Sequence, residues 1–208
     1  PFMMSAPSLP VADAFFEAMS GFTTTGASVI PDVEACDHSI LLWRSIMQWV
    51  GGLGIVLFIL AVLPTLNHRG GMSMFDTEMT GITHDKLHPR IRQTAYSLWK
   101  VYVTLTLVLF FLLWIGPMDF FDAVCHSLST LATGGFSTRN DSIFGFHSTY
   151  IASVIAVFMF IAGINFVLLY NFGRGRWKQM WRNDVLRFYF AVVFGLCVLI
   201  DISELIRG

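Results

Sequence analysis

A chain of 208 residues that is 55% hydrophobic and only 13% charged has about half the charge of an ordinary soluble domain. That excludes a solvated globule and points to a membrane. The formal net charge of −1 excludes a function built on bulk attraction to nucleic acid or to a strongly acidic or basic partner.

Residues 1–10 are loop-like, with Pro1, Pro7, Pro10 and two serines, and no charged leader or cleavage signal follows Pro1. The chain therefore starts in mid-architecture and reads as a piece of a longer protein. Residues 10–22 form a predicted short helix, because Val11, Ala14, Phe15, Ala18, Met19 and Phe22 recur at helical spacing. It is too short to cross a bilayer, which takes about 20 residues. Residues 23–28 follow as Thr-Thr-Thr-Gly-Ala-Ser. Such a run wastes an apolar solvent, so it is expected as an extended loop lining a wet or ion-filled space. Non-helical backbone is tolerated at membrane depth only there. Helix and loop together predict a re-entrant hairpin whose helix turns its negative end toward the loop and favours a cation. For the helix alone, an interfacial amphipathic segment is the alternative.

Pro31 to Ser39 carry Asp32, Glu34 and Asp37 and read as an exposed loop. Residues 41–64 predict the first span, ended by Pro64. Its Gly51, Gly52 and Gly54 suit close backbone approach. Gln48 reads either as an interhelical hydrogen bond or as pore lining. Residues 65–94 are a polar linker with Arg69, Lys86, Arg90 and Arg92. Residues 95–115 predict a second span, broken at Gly116-Pro117. Residues 119–131 are a second short helix, and 132–137 (Ala-Thr-Gly-Gly-Phe-Ser) a second loop. Residues 149–170 predict a third span, interrupted by Gly163 and Asn165; Asn165 is either paired or pore-lining. The basic residues of 171–187 suit anionic headgroups rather than nucleic acid. Residues 188–208 predict one more span. Cys36, Cys125 and Cys197 lack metal or redox spacing and read as packing residues.

The two halves repeat. Asp13 and Asp122, Ser20 and Ser129, Thr24 and Thr133, Gly26 and Gly135, and Ser28 and Ser137 are each 109 residues apart. One unit is used at least twice. The basic linkers 67–100 and 173–187 belong in the cytoplasm by the positive-inside rule, so both loops are expected to enter from the outside. Asp13, Glu17, Asp32, Glu34, Asp37, Asp119, Asp122, Asp141, Asp201 and Glu204 then lie on that side, either as an acidic vestibule that concentrates cations or as ordinary acidic loops. Rings of backbone carbonyls can replace the water shell of a potassium ion. The candidate ligands are the carbonyls of Thr24, Thr25, Gly26, Ala27, Thr133, Gly134, Gly135 and Phe136. An enzyme would need a nucleophile with a base, or a metal cluster; Ser20, Ser129, His126 and Asp122 match that only loosely.

Residues 14–21 and 23–28, Gln48 to Gly54, Pro89 to Ile91, Thr94 to Trp99, His126 to Ser129 and Gly134 to Thr138 resemble the Trk/Ktr/HKT superfamily of potassium transporters, and most nearly its bacterial Trk pore-forming subunits. The resemblance runs over nearly the whole chain. It implies an all-α polytopic membrane protein of repeated helix–pore loop–helix units, pseudo-fourfold when complete. Residues 1–64 would be the end of repeat 1, 95–170 repeat 2, and 188–208 the opening span of a truncated repeat 3. It further implies potassium as the transported ion, no organic cofactor and no enzymatic activity. The expected partners are a TrkA-like cytoplasmic nucleotide-binding regulator and a second copy in a homodimer, in a bacterial inner membrane with the loops facing the periplasm. Channel-like conduction and ion-coupled symport both stay open, as does a fragment that does not conduct alone. Ala27 and Phe136 stand where tetrameric potassium channels have tyrosine, which implies modest selectivity.

Overall fold

The computed structural model describes residues 1–4, 8–69, 84–173, 175 and 183–207. The chain is helical, with no strand among the described residues, as an all-α reading requires. The helices are α1 (Val11–Phe22), α2 (His38–Arg69), α3 (His84–Ile115), α4 (Phe120–Leu131), α5 (Thr149–Ala162), α6 (Phe166–Gly173) and α7 (Asp184–Arg207), with a 3-10 turn at Ser142–Phe146 before α5. Residues 70–83 of the linker expected at 65–94, and residues 174 and 176–182 of the basic loop expected at 171–187, lie outside the described residues.

Several of these helices differ from their predicted extents. α3 starts at His84, within the stretch expected as linker, rather than at 95, and α7 starts at Asp184 rather than at 188. α2 runs through Pro64 to Arg69 rather than stopping there. The apolar run expected at 149–170 is broken: α5 stops at Ala162, Gly163 caps it, and α6 begins at Phe166. Among the described residues, Ala95–Ile115 within α3 is the one stretch of 18 or more residues apolar enough to cross a membrane. It exposes Leu107, Val108, Phe111, Trp114 and Ile115, the side chains a lipid solvent accepts.

The chain forms two compact units, Pro1–Gly163 and Ile164–Gly208. In the first, α2 packs on α1, α3 and α4, and α4 also packs on α3 and α5. Gly51 and Gly52 make this possible. A Cβ at Gly51 would lie 2.1 Å from the Phe22 carbonyl at the end of α1, and one at Gly52 would lie 3.0 Å from Ala132 at the end of α4. The α2 backbone thus passes the bases of both loops. Gly54, with the same expected role, meets nothing within 4 Å. Trp49 and Tyr102 fasten α2 to α3: the Tyr102 hydroxyl donates to the Trp49 carbonyl at 3.0 Å, and the Trp49 indole donates to Thr106 at 3.1 Å. The second unit holds α6 and α7. α7 exposes Phe188, Phe194, Leu196, Leu199 and Ile200.

Candidate functional site

Each short helix ends in the same way. The Thr25 N–H returns to the Ser20 carbonyl at 3.0 Å, and the Thr24 N–H to Gly21 at 3.1 Å. At the end of α4 the Gly134 N–H returns to Ser129 at 2.9 Å, and the Thr133 N–H to Thr130 at 3.0 Å. These are two Schellman motifs, which satisfy the last carbonyls of a helix with N–H groups from the chain just beyond it. The residue that turns left-handed in this motif is usually glycine. Here it is Thr24, with φ of 56°, and Thr133, with φ of 52°. A β-branched residue in that region is an outlier. Two residues later the chain turns left-handed again, at Gly26 (φ 78°) and Gly135 (φ 89°). The sequence period is therefore also a backbone-angle period.

Peptide geometry then sets carbonyl directions. In a trans peptide the N–H and C=O point opposite ways. With the Thr25 and Gly134 N–H groups turned onto the helix ends, the Thr24 and Thr133 carbonyls point away from them. The Ala27 carbonyl is differently placed, because it accepts the Ser20 hydroxyl at 2.5 Å. One of its two lone pairs is already used.

The loops also meet each other. A Cβ on Gly26 would lie 1.9 Å from the Gly134 carbonyl oxygen. Gly26 is therefore glycine for two reasons, its left-handed φ and the backbone of the second loop against it. Gly135 has the first reason only, since nothing lies within 4 Å of its Cβ position.

Behind the loops lies a polar network that sequence reasoning missed. Glu17 and Arg44 are 0% and 2% exposed and form an ion pair with Nε–Oε1 of 2.8 Å. Glu17 also accepts the Ser28 hydroxyl at 3.0 Å and the Val29 N–H at 3.1 Å. Arg44 donates to Ser28 Oγ at 3.0 Å and, at 3.5 Å, to the Ser137 carbonyl, and its guanidinium lies 4.1 Å from the centre of the Phe136 ring. A charge pair taken wholly out of water is tolerable only when its remaining donors and acceptors are met, and these contacts meet them. Arg44 thus holds the outer ends of both loops.

The second repeat keeps the frame and changes the chemistry. Ser137 does what Ser28 does: its Oγ accepts an N–H two residues on, from Arg139 at 3.0 Å, as Ser28 accepts from Ile30 at 3.2 Å. Where Ser28 bonds Glu17, Ser137 bonds His126 Nε2 at 3.0 Å. His126 Nδ1 faces the Asp122 carbonyl at 2.9 Å. A carbonyl can only accept, so Nδ1 carries the proton there, and in the neutral ring Nε2 accepts from Ser137. The 109-residue period was the available signal, since it pairs Glu17 with His126 and Ser28 with Ser137.

Several expectations need correction. Glu17 and Asp122 do not line an acidic vestibule. Both are buried, Glu17 on Arg44 and Asp122 on Thr138 and Arg139 at 2.7 and 3.4 Å. Asp32 and Glu34 tie the two outer loops together through Asn140. The Asn140 amide donates to Asp32 at 2.8 Å, its carbonyl oxygen Oδ1 accepts from the Val33 N–H at 2.8 Å, and its own N–H donates to Glu34 at 3.3 Å. The Asn140 amide also holds the Asp32 carboxyl below the usual carboxylate range, with the Ala35 and Glu34 N–H groups adding to the effect against desolvation. Of the two readings of Gln48, the interhelical hydrogen bond holds and pore lining does not. It is wholly buried behind the second loop, where its Oε1 accepts from Ser129 Oγ at 2.6 Å and from the Phe136 N–H at 3.2 Å. Asn165 belongs to the second unit, where it is exposed and its carbonyl starts α6 by accepting from Leu168 at 2.9 Å. Thr24, Thr25, Gly26, Ala27, Thr133, Gly134, Gly135 and Phe136 are brought together in the first unit.

Against known proteins, the family model described as TrkH, a cation transport protein, matches residues 1–200. The chain is 44% identical over 202 residues to the Trk system potassium uptake protein TrkH of Escherichia coli K12, covering 96% of this chain and 42% of that protein. It is 38% identical over 193 residues to the Trk system potassium uptake protein TrkG of the same organism, covering 91% and 39%. The crystal structure of the potassium transporter TrkH from Vibrio parahaemolyticus superposes with a TM-score of 0.78 at 37% identity, covering 95% of this chain and 40% of that one. The chain spans about two fifths of the length of these relatives.

Proposed function

The chain belongs to the TrkH cation transport family, and on that premise we propose that it carries part of the potassium pathway of a Trk-type uptake protein. The family is one of membrane transport proteins rather than enzymes. In the proposed mechanism a potassium ion sheds its water against peptide oxygens of the two loops, which replace the hydration shell. The carbonyls of Thr24 and Thr133 are the first ligands, joined by those of Thr25, Gly26, Gly134 and Gly135. Ala27 and Phe136 contribute less, because one holds Ser20 and the other is buried under Arg44.

The observation that carries this reading is the doubled turn. Thr24 and Gly26, and again Thr133 and Gly135, are left-handed, and each threonine accepts a strained angle that turns its carbonyl off the scaffold. Strain kept at matching points of two loops is a mark of function. The α1 and α4 C-terminal ends add partial negative charge beside the loops. The loops face the periplasm, the basic linkers face the cytoplasm, and a TrkA-like regulator and a second copy of the full-length protein complete the system.

The test is potassium uptake by the full-length protein in a bacterium lacking its own uptake systems. We expect uptake that prefers potassium to sodium; uptake with no ion preference would end the reading. Orientation is tested separately by a cysteine at exposed Asp37, in a background without Cys197, the exposed native thiol. An impermeant thiol reagent should label it from outside intact cells. Labelling only in inverted vesicles would reverse the topology.

A further inference from the structure

The second loop has glycine, Gly134, where the first has Thr25. The backbone does not demand it, because Gly134 is not among the left-handed residues. The neighbour does. A Cβ on Gly134 would lie 2.3 Å from Cδ and Oε1 of Gln48, closer than any real contact. Gln48, reaching over from α2, fills the volume that a threonine at 134 would take.

Packing alone does not call for an amide there. Gln48 is 0% exposed, and its Nε2 has no hydrogen-bond partner. A buried donor left unmade is costly, and methionine would fill the same space without it. The acceptor explains the residue. The Phe136 N–H can only donate, so the Gln48 atom facing it at 3.2 Å is the oxygen. Anchoring that N–H on Gln48 turns the other end of the same peptide, the Gly135 carbonyl, away from α2. In the first loop Ser20 bonds the Ala27 carbonyl directly, whereas its counterpart Ser129 bonds Gln48.

We propose that Gln48 is a specificity-determining positioning residue for the second loop: it stands in for the side chain missing at Gly134 and sets the direction of the Gly135 carbonyl. The specificity half rests on the potassium reading above; the space-filling half does not.

Two experiments on the full-length protein separate them. Gln48→Met keeps the volume and removes the acceptor. Loss of one hydrogen bond should raise the potassium KM about fivefold and lower the preference over sodium by a similar factor, with the maximal rate held within about twofold. An unchanged KM and preference would overturn the positioning role. In the second experiment, thermal unfolding is followed in Gly134→Thr, Gln48→Ala and the double variant. Gly134→Thr alone should unfold earlier than wild type, because the buried Gln48 amide must give up its bonds to Ser129 and Phe136 to swing aside, and Gln48→Ala beside it should recover much of the loss. A double variant no more stable than Gly134→Thr alone overturns the space-filling role. If the wild-type protein moves no potassium, the transport reading fails, and the unfolding cycle still decides whether Gln48 occupies the place of the missing side chain.

Discussion

Gly26 and Gly135 occupy equivalent places and should respond differently to the same change. Alanine at either position must adopt a left-handed backbone, at a cost of about 1–2 kcal/mol. At Gly26 the new methyl also meets the Gly134 carbonyl, with a Cβ–oxygen distance of 1.9 Å. Backbone cannot rotate aside as a side chain can, so one loop must move. Gly26→Ala should therefore destabilise the protein by clearly more than Gly135→Ala, whose added atom meets open space. Thermal unfolding of the two full-length variants checks this, and equal losses would refute the loop contact. The need for a glycine at 26 was legible in the sequence. That a carbonyl from 108 residues later occupies its side-chain site was not, because no local pattern encodes a long-range contact.

The two short helices and their turns form the repeated element, and their stability is set at the left-handed threonine. A β-branched residue there costs about 1–3 kcal/mol. Glycine removes that cost but loses about 0.5–1 kcal/mol through its freer unfolded chain. The first effect is larger, so Thr24→Gly should leave the protein as stable as wild type or more so, while Thr25→Gly, at ordinary φ, should destabilise it. Unfolding midpoints of the two variants decide the matter; a Thr24→Gly protein less stable than Thr25→Gly would mean the turn is unstrained. The short helices were legible from apolar spacing and the loops from their composition. The strain was not, since threonine in a loop does not announce its φ.

Across the first unit, the two outer loops are joined through Asn140, Asp32 and Glu34. The Asp32 carboxyl is held below its ordinary range, so the sign follows. A carboxylate with a lowered folded pKa contributes stability above its unfolded value of about 3.9, and that contribution is lost as pH falls through the lower folded value. Protection of the Val33 and Asn140 amides from hydrogen exchange should be flat from about pH 5 to 8, allowing for the intrinsic exchange rate, and should fall only in the acid range. Asn140→Ala should remove this docking at every pH. Loss of protection near neutrality in the wild type would point to a different group. The group is exposed and the effect correspondingly small.

By itself, the sequence determined the helical membrane class, the doubled helix–loop unit and the loops as the unusual segments. Those properties are periodic or compositional, and hydrophobic spacing and glycine placement report them directly. Only the tertiary structure decided which polar residues stand behind the loops. In the sequence Glu17 read as a vestibule acid or an ordinary loop acid, and Gln48 as an interhelical hydrogen bond or pore lining. Both are buried, with Arg44, where α2 passes the ends of α1 and α4, so Gln48 keeps the first of its two readings. Whether a polar side chain faces water or a partner depends on what packs over it, and here the cover comes from residues far along the chain.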